Sequence, residues 1–172
     1  INSMFFEIEY IAFFFPISIL GYFFLKKKVS SDFSYFFVIL ISFLFYGFAN
    51  KQYVPLLLTS ICLNIFFYKL ISVHKKKILL FSIISFNLLI LFYYKYLFFI
   101  FKLVNLNNIN VENFVQNPLP IGISFFTFQQ IAFQVDRFNN KGNKCRILDY
   151  FLFVSFFPQL IAGPIVKFRQ FY

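Results

Sequence analysis

Apolar residues run through this chain in blocks of about twenty, cut by short polar and basic stretches. A bilayer core of about 30 Å takes roughly 20 helical residues, and five blocks reach that length. They are Phe5–Leu25, Phe33–Ala49, Tyr53–Val73, Ile78–Phe101 and Leu119–Val135. The pattern predicts an all-α, polytopic transmembrane protein: a single membrane domain over residues 1–172. A sixth apolar block, Ile147–Val166, is flanked by Arg146 on one side and by Lys167 and Arg169 on the other. It is interrupted by Pro158, Gly163 and Pro164. Basic ends plus helix breakers predict a broken or re-entrant segment, with a simple sixth span as the alternative.

The fifth block differs from a plain anchor. At about 100° per residue, Gly122, Gln129 and Asp136 fall on one stripe, and Thr127, Gln130 and Gln134 on another roughly opposite. A helix polar on two sides cannot face lipid with either, so neighbouring helices must enclose it or it must line a cavity. Ordinary interhelical hydrogen bonding and a cavity-lining role both fit. Pro118 and Pro120 suit a helix start, and Gly122 and Ser124 are small enough for close helix contact. Asp136 beside Arg137 suits an ion pair at the membrane face. Asn64 and Asn87 lie inside the third and fourth blocks, where each can bond a neighbouring helix.

Composition agrees with a membrane class. The chain is 60% hydrophobic and only 13% charged, with 33 Phe and no Trp, against about 25% charged in soluble domains. The net charge of +10 sits in short clusters between apolar blocks, which is a topology signal rather than a nucleic-acid footprint. Lys26–Lys28, Lys75–Lys77 and the loop from Arg137 to Arg146 alternate onto one side. The positive-inside rule makes that side cytoplasmic and puts the N-terminus outside. Glu7 and Glu9 precede the first block and lysines follow it, the reverse of a signal peptide. Ile1 is no initiator, so Met4 is the expected start or the reading frame extends upstream. Cys62 falls mid-span and Cys145 in a basic loop, so no disulfide is expected, and no spacing of Cys and His suggests a metal.

Two phrases, PLPIGISFFTFQQIAFQVDRF (Pro118–Phe138) and FVSFFPQLIAGPIVKF (Phe153–Phe168), carry a resemblance to a known family. With Ser42–Tyr68 and Asn87–Phe99 in the same order, they resemble membrane-bound O-acyltransferases, most of all the branch that O-acetylates bacterial polysaccharides such as alginate and peptidoglycan. The resemblance implies an acyl-donor tunnel, with acetyl-CoA as the donor substrate and no bound cofactor. Pro120, Gly122, Ser124, Gln129, Gln130, Gln134, Asp136, Pro158, Gln159, Gly163 and Pro164 are its tunnel-wall or packing candidates. It also implies a catalytic histidine downstream of the last motif. His74, the one histidine present, lies in a lysine cluster and does not correspond to it. The chain is therefore expected to be the N-terminal portion of a larger acyltransferase, with no catalytic residue of its own and no activity alone. Its expected partners are membrane lipid, a C-terminal half and a periplasmic acetyltransferase, with no nucleic acid. The alternatives are a non-catalytic scaffold, a transporter-like subunit or a truncated remnant.

Overall fold

The computed structural model describes residues 2–97, 100, 119–139, 145–162 and 166–171. Every regular element among them is helical: α1 Asn2–Lys28, α2 Ser31–Asn50, α3 Val54–His74, α4 Lys77–Lys95, α5 Ile123–Phe138, α6 Ile147–Ser155, α7 Phe157–Ala162 and α8 Phe168–Phe171. A short 3-10 turn, Lys51–Tyr53, links α2 to α3.

Local chemistry sets the ends. Ser30 is extended, and its hydroxyl accepts the Phe33 N–H at 3.2 Å, which caps α2. Asp32 in the first turn suits the positive helix end. Pro55 sits in the first turn of α3, where an N–H would have no helical partner. That helix closes with Lys75 in the left-handed region (φ 48°), its N–H on the Ile71 carbonyl at 3.0 Å.

Three helical stretches are long and apolar enough to cross a membrane: Ser31–Ala49, Lys51–His74 and Lys77–Lys95. They match the second, third and fourth blocks, although α4 closes at Lys95, where the Tyr96 N–H bonds the Phe92 carbonyl. α1 covers the first block. On α2, Phe36, Leu40, Leu44 and Phe48 recur every four residues and are exposed, as a lipid-facing stripe should be. The opposite side of α2 buries Val38, Phe45 and Tyr46. Phe14 of α1 meets Phe45 edge to face at 5.6 Å, with Phe157 of α7 closing the same cluster.

The fifth block starts later than its hydropathy indicates. Leu119–Gly122 form a turn, and α5 begins at Ile123 and runs to Phe138. At 16 residues it is about 24 Å long. The last block is broken, as its prolines predict, and the break falls at Phe156 (φ −57°, ψ 105°). In an unbroken helix Pro158 would lack an N–H for the Val154 carbonyl and its ring would strike that turn. Restarting at Phe157 moves the proline into a first turn instead. The Phe157 N–H, left without a helical acceptor, points to the Ser42 hydroxyl of α2 at 3.4 Å.

The basic clusters collect at one end of the bundle. Arg146 reaches Asp32 at 2.7 Å, joining the starts of α6 and α2. Arg137 Nε donates to Ser72 Oγ at 3.0 Å, joining the ends of α5 and α3. At the other end Tyr53 meets Tyr94 at 5.5 Å, and Lys95 donates to Ser124 Oγ at 3.2 Å.

Candidate functional site

The fold places a hydrogen-bonded polar seam inside an apolar bundle. α3 presents Ser60 and Asn64, one turn apart on one face; α4 adds Asn87, α5 adds Gln130 and Gln134, and α6 adds Tyr150. All six are at most 2% exposed. Asn64 and Asn87 pair through both amides: each Nδ2 donates to the other's Oδ1, at 3.1 and 3.0 Å. Their remaining amide protons go back along their own helices to the Ser60 and Ile83 carbonyls. Gln134 Nε2 donates to the Asn64 carbonyl at 2.7 Å and to Asn64 Oδ1 at 3.2 Å. Gln130 Nε2 donates to Ser60 Oγ at 2.9 Å, and the Tyr150 hydroxyl donates to Gln130 Oε1 at 3.2 Å. Four helices are thus tied where lipid offers no competing partner.

The middle of both polar stripes of α5 is buried, at Thr127, Gln130 and Gln134 on one and Gln129 on the other. The Gln130 and Gln134 side is interhelical glue, and Thr127 is buried beside it. On the other stripe Gln129 is 1% exposed, and its Nε2 has no partner among the described residues. Gln134 Oε1 and the Tyr46 hydroxyl are buried in the same condition.

The turn before α5 explains PLPIG. Pro120 is buried, and its carbonyl accepts the Ile123 N–H at 3.3 Å. Gly122 takes φ 70°, and a Cβ there would lie 2.7 Å from the Leu160 carbonyl oxygen. The two motif phrases, PLPIG and FPQLIA, therefore touch backbone to backbone, which only glycine permits. Ser124 is held by Lys95. Pro158 stands in the first turn of α7, and Gln159 is 7% exposed with its N–H on the Phe156 carbonyl at 3.0 Å. Gly163 and Pro164 lie outside the described residues.

Asp136 is half-buried and makes no ion pair with Arg137. Arg137 instead turns to Ser72 and lies over the Tyr68 ring, 5.1 Å from its centre. The Tyr68 hydroxyl also accepts the Cys145 N–H at 3.1 Å. Burial, helped by the Asp149 carboxylate, pushes the Cys145 thiol up to about 12. His74 is exposed at the last residue of α3, away from the seam. Among the described residues no three His, Cys, Asp or Glu side chains cluster to hold a metal ion.

A separate apolar cleft of about 400 Å³ opens between α1, α2 and the α6–α7 break, lined by residues such as Ser18, Tyr22, Val38 and Pro158.

A helical membrane protein with a sealed polar seam is a broad class; sequence comparison narrows it. The chain is 36% identical over 186 residues to the peptidoglycan O-acetyltransferase of Helicobacter pylori, an overlap covering 89% of the chain and 35% of that relative. It is 37% identical over 89 residues to the probable alginate O-acetylase AlgI of Pseudomonas syringae pv. tomato, covering 49% of the chain and 17% of the relative. The Azotobacter vinelandii protein of the same name matches at 38% over 89 residues. The chain is thus a homologue of proteins named peptidoglycan O-acetyltransferase and probable alginate O-acetylase. It spans about a third, or less, of the length of these relatives. No family model matches it, and no solved structure does.

Proposed function

We propose that the chain is part of a membrane O-acetyltransferase that moves acetyl groups from a cytoplasmic thioester, acetyl-CoA, to hydroxyls of a cell-surface polysaccharide. The observation that carries this is the 36% identity with the peptidoglycan O-acetyltransferase of Helicobacter pylori over 89% of the chain. The positive-inside rule turns the end bearing Lys26–Lys28, Arg137 and Arg146 to the cytoplasm of a bacterial inner membrane, with the N-terminus periplasmic.

In this reading a histidine removes the proton of the acceptor hydroxyl. The oxygen attacks the thioester carbonyl, and the thiolate leaves. His74 is exposed on the basic face and far from the seam in kind and place, so the base comes from outside these 172 residues. The 172 residues alone are inactive. Their contribution is scaffold and wall: a tightly bonded seam that fixes α3, α4, α5 and α6 and keeps the interior dry, which limits thioester hydrolysis. The remaining partners in this reading are the rest of the enzyme and a periplasmic acetyltransferase that receives the acetyl group.

The test is genetic and chemical. Disrupting the gene in its host removes most of the alkali-released acetate from one purified surface polysaccharide, and a plasmid copy of the whole gene restores it. Unchanged acetate in peptidoglycan and in every other surface glycan would refute the proposal.

A further inference from the structure

The cleft between α1, α2 and the α6–α7 break belongs to neither the polar seam nor the motif contact at Gly122. Its volume is about 400 Å³, within the range that holds a small ligand or a chain segment. Its walls are apolar, with Ile19, Val38, Leu152 and Pro158 among them. Ser18 offers the interior no proton, since its hydroxyl donates to the Phe14 carbonyl at 2.7 Å. The cleft opens outward along α1, where Phe15, Ile19 and Phe23 are 44, 40 and 64% exposed.

One end of the cleft is different. Tyr22 and Tyr35 stack there with ring centres 6.2 Å apart and planes within 5°. Lys26 Nζ donates to the Tyr22 hydroxyl at 3.2 Å. Lys27 follows, and Lys28 lies 4.6 Å over the Phe24 ring. Arg146 bridges Asp32 at 2.7 Å and Asp149 at 2.9 Å, a group with one negative charge in excess, which the three lysines outweigh.

We propose that this cleft is a binding site for an anionic phospholipid. One acyl chain lies against α1 and the α6–α7 break, and the headgroup phosphate rests on Lys26–Lys28. An apolar cleft opening to hydrocarbon takes its occupant from the bilayer, and Lys26 on Tyr22, with Lys27 and Lys28 following at the same helix end, selects negative charge over zwitterionic lipid. Tyr22 and Tyr35 mark the interfacial level, where aromatic rings with one polar end settle.

Trp is absent from these 172 residues, so Phe23→Trp places a reporter at the cleft. The full-length protein is reconstituted in vesicles containing either brominated phosphatidylglycerol or brominated phosphatidylcholine at the same mole fraction. The signal is the difference from the unsubstituted protein. Phosphatidylglycerol should quench as though enriched at least about five-fold at the reporter. Lys26→Gln/Lys27→Gln/Lys28→Gln, all on exposed side chains, should reduce that enrichment to none. A control reporter, Phe48→Trp on the lipid face of α2, should show no preference. Equal quenching by the two lipids, or a preference that survives the lysine substitutions or appears at Phe48→Trp, would overturn the proposal. So would quenching by neither lipid, which would mean that protein covers the cleft.

Discussion

Replacing Asn64 by Leu tests the polar seam at its centre. Leu matches Asn in branching and in its four side-chain heavy atoms but is bulkier, so the lost amide sets the minimum effect and any overpacking adds to it. The substitution removes both amide bonds to Asn87, at 3.1 and 3.0 Å, and the 3.2 Å bond from Gln134. Gln134 keeps the Asn64 backbone carbonyl and Asn87 Nδ2 keeps the Ile83 carbonyl, but Asn87 Oδ1 loses its partner. Three interhelical bonds at about 0.6 kcal/mol each, plus about 1 kcal/mol for the stranded carbonyl, give a loss of about 3 kcal/mol. Asn87→Leu strands nothing: Asn64 still bonds Ser60 and still accepts from Gln134. Its cost is about 1.2 kcal/mol by the same arithmetic. The double variant loses no interhelical bond that Asn64→Leu has not already lost and leaves no orphan, so it should cost about 2 kcal/mol, well below the sum. SDS-titrated unfolding of the full-length protein in mixed micelles gives all three values. If the double variant equals the sum of the singles within about 0.5 kcal/mol, the amides are not coupled and the seam is not a structural unit.

Gly122→Ala should lower folded yield sharply, by about 2–4 kcal/mol of stability, because it combines a left-handed residue with a Cβ against the Leu160 carbonyl. Gly47→Ala, whose Cβ would meet only Val54 Cγ2 at 3.7 Å, should be neutral or stabilise by about 0.5–1 kcal/mol; thermal unfolding of the pair checks both. For Cys145 the thiolate is the reactive form. Burial holds the thiol protonated up to about 12, so alkylation at pH 9 should run about a hundred-fold slower in mild detergent than after SDS unfolding. Peptide-resolved mass spectrometry of iodoacetamide labelling measures the ratio, and equal rates would refute the burial argument.

Length and hydropathy located α2, α3 and the start of α4 to within two residues, because span length is fixed by the bilayer and the basic turns between spans are sharp. The polarity of α5 and the broken last segment were legible for a related reason: polar groups and prolines in an apolar block demand a specific accommodation. Residue-to-residue pairing was less legible. Asn64 and Asn87 announced themselves as amides in mid-span, but Ser60 and Tyr150 did not. A serine can satisfy itself on its own helix, as Ser18 does, and a tyrosine reads as bulk. Ser60 did carry one signal, its place one turn before Asn64. Adjacent charges misled: Asp136 and Arg137 are neighbours in sequence but diverge on the helix, whereas Asp32 and Arg146, 114 residues apart, meet. The α5 start was displaced by Gly122, whose left-handed backbone and contact with Leu160 depend on a segment nearly forty residues downstream.

The seam also sets an order of assembly during synthesis. Asn64 finds Asn87 after 23 further residues, but Gln130 and Gln134 lie 70 residues beyond their partners Ser60 and Asn64. At about 5–20 residues per second, α3 waits roughly 4–14 s for them. In that interval α3 and α4 form a hairpin already clasped through its amides, with the Asn64 backbone carbonyl and the Ser60 hydroxyl still facing the site where α5 will dock. The nascent chain therefore carries a polar landing strip that recognises α5 by its two glutamines, one turn apart, before α6 arrives to bring Tyr150 onto Gln130.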